Sequence, residues 1–175
     1  MNPLSQFVVA LLVLFPLQVA AYSNGKVEAS CVTMVPNHPY PIQNSSAPYT
    51  LTASNTTYQS GDKITVTLTN TTEEYPIEGF MIQVRQQNSN TPLGSFTVSG
   101  SEVQTLTCTT AASAVSHTSD LAKSIVQVTW IAPKENISDI YLRATVVRNG
   151  SIFWTNLVGP KLTYVGSGGS HLTVR

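Results

Sequence analysis

The stretch Ile140 to Thr155 constrains the fold more than any other part of the chain. Ile140, Leu142, Ala144 and Val146 alternate with Tyr141, Arg143 and Thr145. In an extended chain that period of two puts the first set on a buried face and the second on a wetter one. Asn149 and Gly150 both tolerate positive φ, so the spacing predicts a two-residue type I′ hairpin turn, with Val146 opposite Phe153 and Thr145 opposite Trp154.

The same alternation recurs along the chain. Lys63 to Thr69 places Ile64, Val66 and Leu68 on one side, Phe80 to Val84 repeats the pattern, and Ser124 to Ile131 sets Val126, Val128 and Trp130 on one face. Trp130 is the expected centre of the core, its indole N–H needing a partner if buried. Shorter strand-like runs cover Tyr49–Ala53, Gly94–Val98, Val103–Cys108, Ala114–Thr118 and Lys161–Val165, and Ser99-Gly100-Ser101 is expected to join the second and third as a hairpin. About seven to nine short strands at intervals of roughly 8–12 residues, with no amphipathic helix, predict an all-β, antiparallel two-sheet sandwich. A closed barrel is the alternative.

Residues 1–21 are expected to be a secretory signal peptide: an apolar run from Phe7 to Leu17 is followed by small residues Val19 and Ala21 at the −3 and −1 sites of a cleavage. The run falls short of the roughly 20 apolar residues of a membrane span and contains Pro16, so no transmembrane segment is expected in the mature chain. Residues 22–165 then form one domain and 166–175 a flexible Gly/Ser tail. Nine basic residues balance nine acidic ones, and that charge pattern leaves no footprint for nucleic acid or an anionic membrane. In a secreted, extracellular chain the even pair Cys31 and Cys108 favours a disulfide over two free buried thiols. Sequons at Asn44, Asn55, Asn70, Asn136 and Asn149 fall in expected turns or strand edges and mark candidate glycosylation sites, with Asn149 the weakest because a tight turn hides it.

Catalytic patterns are missing. His38, His117 and His171 are scattered without metal-ligand spacing, Gly166–Ser170 lacks the lysine of a phosphate loop, and no Gly-X-Ser-X-Gly elbow occurs. A binding module without cofactor or metal is expected, not an enzyme.

Cys31-X-X-Met34-X-Pro36-X-His38, Tyr49-Thr-Leu, Ser60-Gly-Asp-Lys-Ile-Thr-Val, Gly79-Phe80 with Gln83-Val-Arg85, Leu106-Thr-Cys108, Ser116-His117-Thr118 and Thr129-Trp130-X-Ala132-Pro133 together resemble the Reeler (reelin N-terminal) domain. Arg143-Ala-Thr-Val-Val147 and Phe153-Trp154 extend the likeness, which runs from about Cys31 to Val165. The resemblance implies an immunoglobulin-like sandwich and a Cys31–Cys108 bridge. It leaves function open, because Reeler domains stand in matrix proteins, in ferric-chelate-reductase-like membrane proteins and in small secreted defence proteins. A leader followed by one such domain is similar to the defence class. The first expectation is therefore an innate-immune, antibacterial module for microbial surface glycans or lipids; a matrix or cell-surface adhesion module and a truncated reductase ectodomain are the alternatives. The expected ligand face is the outward side of the hairpin, where Tyr141, Arg143 and Trp154 would form an aromatic and basic strip, with the loops near Pro36 and Thr91 next in line.

Overall fold

The computed structural model describes residues 22–166. The leader expected over 1–21 and, apart from Gly166, the tail expected over 166–175 lie outside the described residues. Ten strands are described: β1 (Tyr49–Ala53), β2 (Thr57–Tyr58), β3 (Lys63–Asn70), β4 (Gly79–Gln86), β5 (Ser95–Thr97), β6 (Val103–Leu106), β7 (Ala114–His117), β8 (Ile125–Ile131), β9 (Ile140–Asn149) and β10 (Ile152–Tyr164). They build a sandwich from a four-stranded sheet, β1-β3-β8-β5, and a six-stranded sheet, β2-β10-β9-β4-β7-β6. Every strand pair is antiparallel except β2 with β10, which run parallel over two residues.

The periodicity that marked the strands also fills the core. Ile64, Val66 and Leu68 of β3 lie opposite Trp130, Val128 and Val126 of β8, and all six are buried. From the other sheet Phe80, Ile82 and Val84 of β4 and Ile140, Leu142, Ala144 and Val146 of β9 face them in one cluster. Trp130 is 0% exposed, and its indole N–H donates to the Leu93 carbonyl at 2.8 Å. Gly94 makes that approach possible: a Cβ there would sit 2.4 Å from the Ile131 carbonyl oxygen and 2.5 Å from the indole nitrogen, and its φ of +69° suits glycine.

Four expectations change. The two-residue β2 is a strand that none of the expected runs covered. Lys161–Val165 is not a separate strand but the end of the long, bulged β10. β5 and β6 do not form a hairpin: β5 pairs with β8 in one sheet and β6 with β7 in the other. Phe96 of β5 belongs to the main core, whereas Leu106 of β6 packs in a second cluster with Met34, Met81 and Ala114, so burial pulls the two strands to opposite sheets.

The fourth change is the β9–β10 turn. Its tip is Gly150-Ser151, closed by the pair Asn149–Ile152, and the Asn149 side-chain oxygen accepts from the amides of Ser151 (2.9 Å) and Ile152 (3.0 Å). Neither Asn149 nor Gly150 has positive φ, so this is not the type I′ turn that the dipeptide implied. Arg148 bulges out of the ladder, leaving Phe153 opposite Val147 and Trp154 opposite Val146. A one-residue shift moves every side chain to the other face. Trp154 accordingly points into the core, 5% exposed, edge-on to Tyr49 and Tyr75. It cannot form the exposed strip with Tyr141 and Arg143, and the ligand face expected from those three residues loses its tryptophan.

Candidate functional site: the strapped outer face of the six-stranded sheet

Strand β4 is buried along both faces down to Arg85. Its inward residues meet the other sheet; its outward residues Met81, Gln83 and Arg85 lie beneath the segment Tyr22–His38, which crosses the sheet as a strap. A 3₁₀ turn at Glu28–Ser30 leads into Cys31, which is joined to Cys108 with the Cα atoms 5.4 Å apart. Arg85 is 4% exposed and acts as the strap's second anchor. Its guanidinium donates to the carbonyls of Cys31 and Val32, to Asn90 Oδ1 and to Gln83 Oε1, while Gln83 Nε2 donates to the Cys31 carbonyl at 3.1 Å. Burial and the neighbouring Arg143 lower the Arg85 pKa below the usual arginine value. The Thr145 hydroxyl adds a third anchor by donating to the Met34 carbonyl.

At the strap's start Gly25, with φ +65°, lies so close to the β7 end that a Cβ would collide with the His117 carbonyl. The His117 ring is held from both sides: Nδ1 accepts from the Phe80 amide at 3.1 Å, and Nε2 lies 3.2 Å from the Tyr22 carbonyl. These partners assign the neutral Nε2–H tautomer. Burial lowers the His117 pKa, with Lys123 acting in the same direction and Asp120 against it, and burial also lowers that of His38. Both rings thus bind protons more weakly folded than unfolded. Their contribution to stability is full above the unfolded value of 6.5 and is lost as pH falls through the lower folded values. Thermal unfolding midpoints should therefore drop as pH goes from 7 toward 5. His117→Asn, which keeps an acceptor for Phe80 but cannot titrate, should flatten part of that drop.

Two hollows flank the strap, and Met34 borders both. The first, about 150 Å³, lies between Val27, Met34 and Pro36 on the strap and Met81 and Val147 on the sheet. The second, about 410 Å³, is polar and is lined by Arg85, Gln87, Asn88, Asn90, Arg143 and Asn156, among others. Arg143 donates to Asn156 Oδ1 and, at 2.9 Å, to the Gln87 carbonyl; its Nε is buried without a partner. Asn156 reaches it from a bulge in β10 where its φ is +57°. Among the described residues the recorded ion pair, Lys161–Asp139, involves neither arginine, and no carboxylate lines this second hollow.

Of the expected ligand-face residues, Tyr141 and Arg143 do share the outer face, both half-buried, and Trp154 is on the other side of the sheet. Asn44, Asn55 and Asn136 are exposed. Asn70 and Asn149 are half-buried with their side chains engaged, Asn70 donating to the Thr72 carbonyl at 2.7 Å. Sequence reasoning gave no role to Gln83, Arg85 or His117. The signal was Gln83-Val-Arg85 itself, polar residues alternating within an otherwise apolar strand.

The sequence profile of the Reeler domain matches residues 29–169. Over 152 residues the chain is 42% identical to "Putative ferric-chelate reductase 1" of Danio rerio, covering 86% of this chain and 26% of that protein. It is 33% identical to "Putative defense protein Hdd11" of Hyphantria cunea over 78% of this chain and 84% of that protein. The chain thus spans about a quarter of the length of the reductase and most of the defence protein. Among solved structures, the Reelin-N domain of F-spondin superposes with a TM-score of 0.60 at 18% identity over 79% of this chain and 99% of that one, a likeness of fold. With a matching profile over most of its length and the sandwich that goes with it, the chain belongs to the Reeler domain family.

Proposed function

We propose that this protein is a secreted binding module of innate defence that contacts microbial surface glycans or lipids through the polar hollow around Arg143. The observation that carries the reading is the composition of that hollow: two guanidinium groups and several side-chain amides, with no carboxylate to neutralise them. Amides and guanidinium groups offer donors at fixed angles to sugar hydroxyls and to phosphate or carboxylate oxygens. Exposed Asn44, Asn55 and Asn136 are not among the residues that line this hollow. The match to a defence protein over most of its length supports the same reading.

Purified protein is expected to bind whole bacteria and lipopolysaccharide, and Arg143→Ala to weaken binding about tenfold, the loss of a hydrogen bond to a charged donor. Unchanged binding by a folded Arg143→Ala protein would remove this hollow from consideration. A second reading, the outer module of a ferric-chelate-reductase-like protein, is favoured by the higher identity to that relative. Transcripts that continue past Arg175 in frame into a further domain would support it.

A further inference from the structure

We infer that the polar hollow around Arg143 takes a phosphate monoester, the doubly charged end of a sugar phosphate, in preference to an uncharged sugar. The inference rests on the reading of that hollow as the contact surface and names the chemistry that fills it.

Charge is the first observation. Gln83 and Arg143 face one another across β4 and β9, so Arg85, two residues along β4 on the same outer face, is a diagonal neighbour of Arg143. After burial, the Arg143 charge is what lowers the Arg85 pKa, so the two guanidinium groups repel. Nothing negative offsets them. Arg85 is surrounded by neutral oxygens of Cys31, Val32, Gln83 and Asn90, and Arg143 by those of Gln87 and Asn156. Asp139 comes near through its carbonyl, which accepts from the Gln87 amide at 3.2 Å, but its carboxylate is held by Lys161 and does not line the hollow.

Hydrogen bonding is the second. Where the rim side chains are fixed, their acceptors are spent inside the protein and their donors are left over. Asn90 and Asn156 each turn Oδ1 onto an arginine, so each presents an Nδ2 group that donates to nothing among the described residues. The Ser89 and Thr33 hydroxyl oxygens accept from the amides of Thr91 and Val35, which leaves their protons available. Arg143 uses one N–H of each Nη and keeps the other. These donors can be reached: Thr33, Asn90 and Asn156 are exposed, and Ser89 and Arg143 are half-buried. Arg85, 4% exposed, adds charge rather than contact. Gln87, Asn88 and Thr155, whose side chains are unbonded, can turn either a donor or an acceptor inward.

A sugar hydroxyl brings a proton of its own to this rim of surplus donors, whereas an anionic oxygen only accepts. A phosphate monoester carries three acceptor oxygens and, near pH 7, close to two negative charges, which matches two guanidinium groups. A carboxylate supplies one charge and two oxygens. The volume of about 410 Å³ leaves room for the sugar that bears the phosphate.

The test titrates glucose 1-phosphate, glucuronate and glucose into the disulfide-bonded protein by calorimetry at about pH 7.5, where the ester is dianionic. Glucose 1-phosphate should bind saturably, glucuronate about tenfold more weakly, and glucose more weakly still. Arg143→Ala should weaken the phosphate by about tenfold or more. Asn156→Asp keeps the oxygen that Arg143 binds and tolerates the positive φ, but it replaces the outward donor with an anionic oxygen. That variant should unfold at no lower temperature than the wild type and lose more than tenfold in phosphate affinity. Vesicles of phosphatidylcholine with and without phosphatidate identify the source of the ester. Sedimentation with phosphatidate vesicles that glucose 1-phosphate reverses assigns it to a lipid headgroup, and glucose 1-phosphate binding without sedimentation assigns it to a soluble sugar phosphate; both support the site. No binding of glucose 1-phosphate at millimolar concentration, glucose or glucuronate bound as tightly, or full affinity in Asn156→Asp would each overturn the inference. Glucose bound as tightly would still leave the hollow a glycan contact. Conversely, phosphate binding that Arg143→Ala abolishes while whole-bacteria binding stays unchanged would support the phosphate site and remove the microbial role.

Discussion

Trp130→Ala is expected to lower the free energy of unfolding by about 3–5 kcal/mol, the range for truncating a large aromatic in a packed core. Trp130 lies between Ile64 of β3 and Phe96 of β5 in the ladder and meets Tyr58 edge-on at 5.6 Å. Truncation opens a cavity and also leaves the Leu93 carbonyl without its indole donor. Gly94 packs so near the ring that an added Cβ would sit 2.5 Å from the indole nitrogen, and backbone relaxes into a cavity less readily than side chains do. Trp154→Ala belongs in the lower part of the same range. Its ring is 5% exposed rather than fully buried, and its N–H donates to the Ser45 hydroxyl at 3.2 Å, a longer bond than that of Trp130. Equilibrium urea denaturation with the disulfide intact measures both. A cost below about 1 kcal/mol for Trp154→Ala would mean that the β9–β10 register described above is wrong.

That register shows where sequence patterning stops being informative. Alternation over Lys63–Thr69, Ser124–Ile131 and Ile140–Val146 assigned the inward residues correctly, because β3 pairs with β8 and β9 with β4 without a bulge through those positions. Past Val147 the same logic inverted the faces. A bulge at Arg148 shifts the count by one, and nothing local distinguishes Asn149-Gly150 as a turn from Gly150-Ser151 capped by Asn149. The pairing of Phe96 with β8 and of Leu106 with β7 was hidden for a related reason: which sheet a three- or four-residue strand joins depends on distant partners.

The site was less legible than the fold. Alternation marks the outward residues of β4 but does not tell whether solvent or another segment covers them. Arg85 at the end of an alternating run reads as a solvated charge, and it is instead enclosed because a bridge distant in sequence brings the Cys31 and Val32 carbonyls over it. Tyr141 and Arg143 could be placed on the outer face from period two alone. Their neighbours Gln87, Asn90 and Asn156 come from a loop and a bulge that carry no periodic signal.

Replacing both cysteines by serine should destabilise the protein by about 4 kcal/mol, because the bridge links residues 77 apart in sequence and a loop of that length restricts the unfolded chain strongly. The entropic figure is only part of the effect. Cys31 also presents the carbonyl that Arg85 and Gln83 share, so the bridge positions the acceptors that make burial of the Arg85 guanidinium tolerable. Without the bridge, opening the strap exposes Arg85 to water, which relieves the buried charge and favours the open form. Two readouts separate the contributions. The global unfolding free energy from urea denaturation should fall by the chain-entropy amount with a larger m-value, as the unlinked unfolded chain exposes more surface. Hydrogen exchange at the Met34 amide, which bonds the Ser30 carbonyl at 2.7 Å, should accelerate far more than exchange at Val66 or Val128 in the central sheet. Arg85→Met in the disulfide-bonded protein isolates the second anchor: it should speed exchange in the strap while leaving the m-value unchanged. Equal acceleration in strap and sheet in both variants would show that the strap does not open on its own, and the two hollows beside it would then be as rigid as the core.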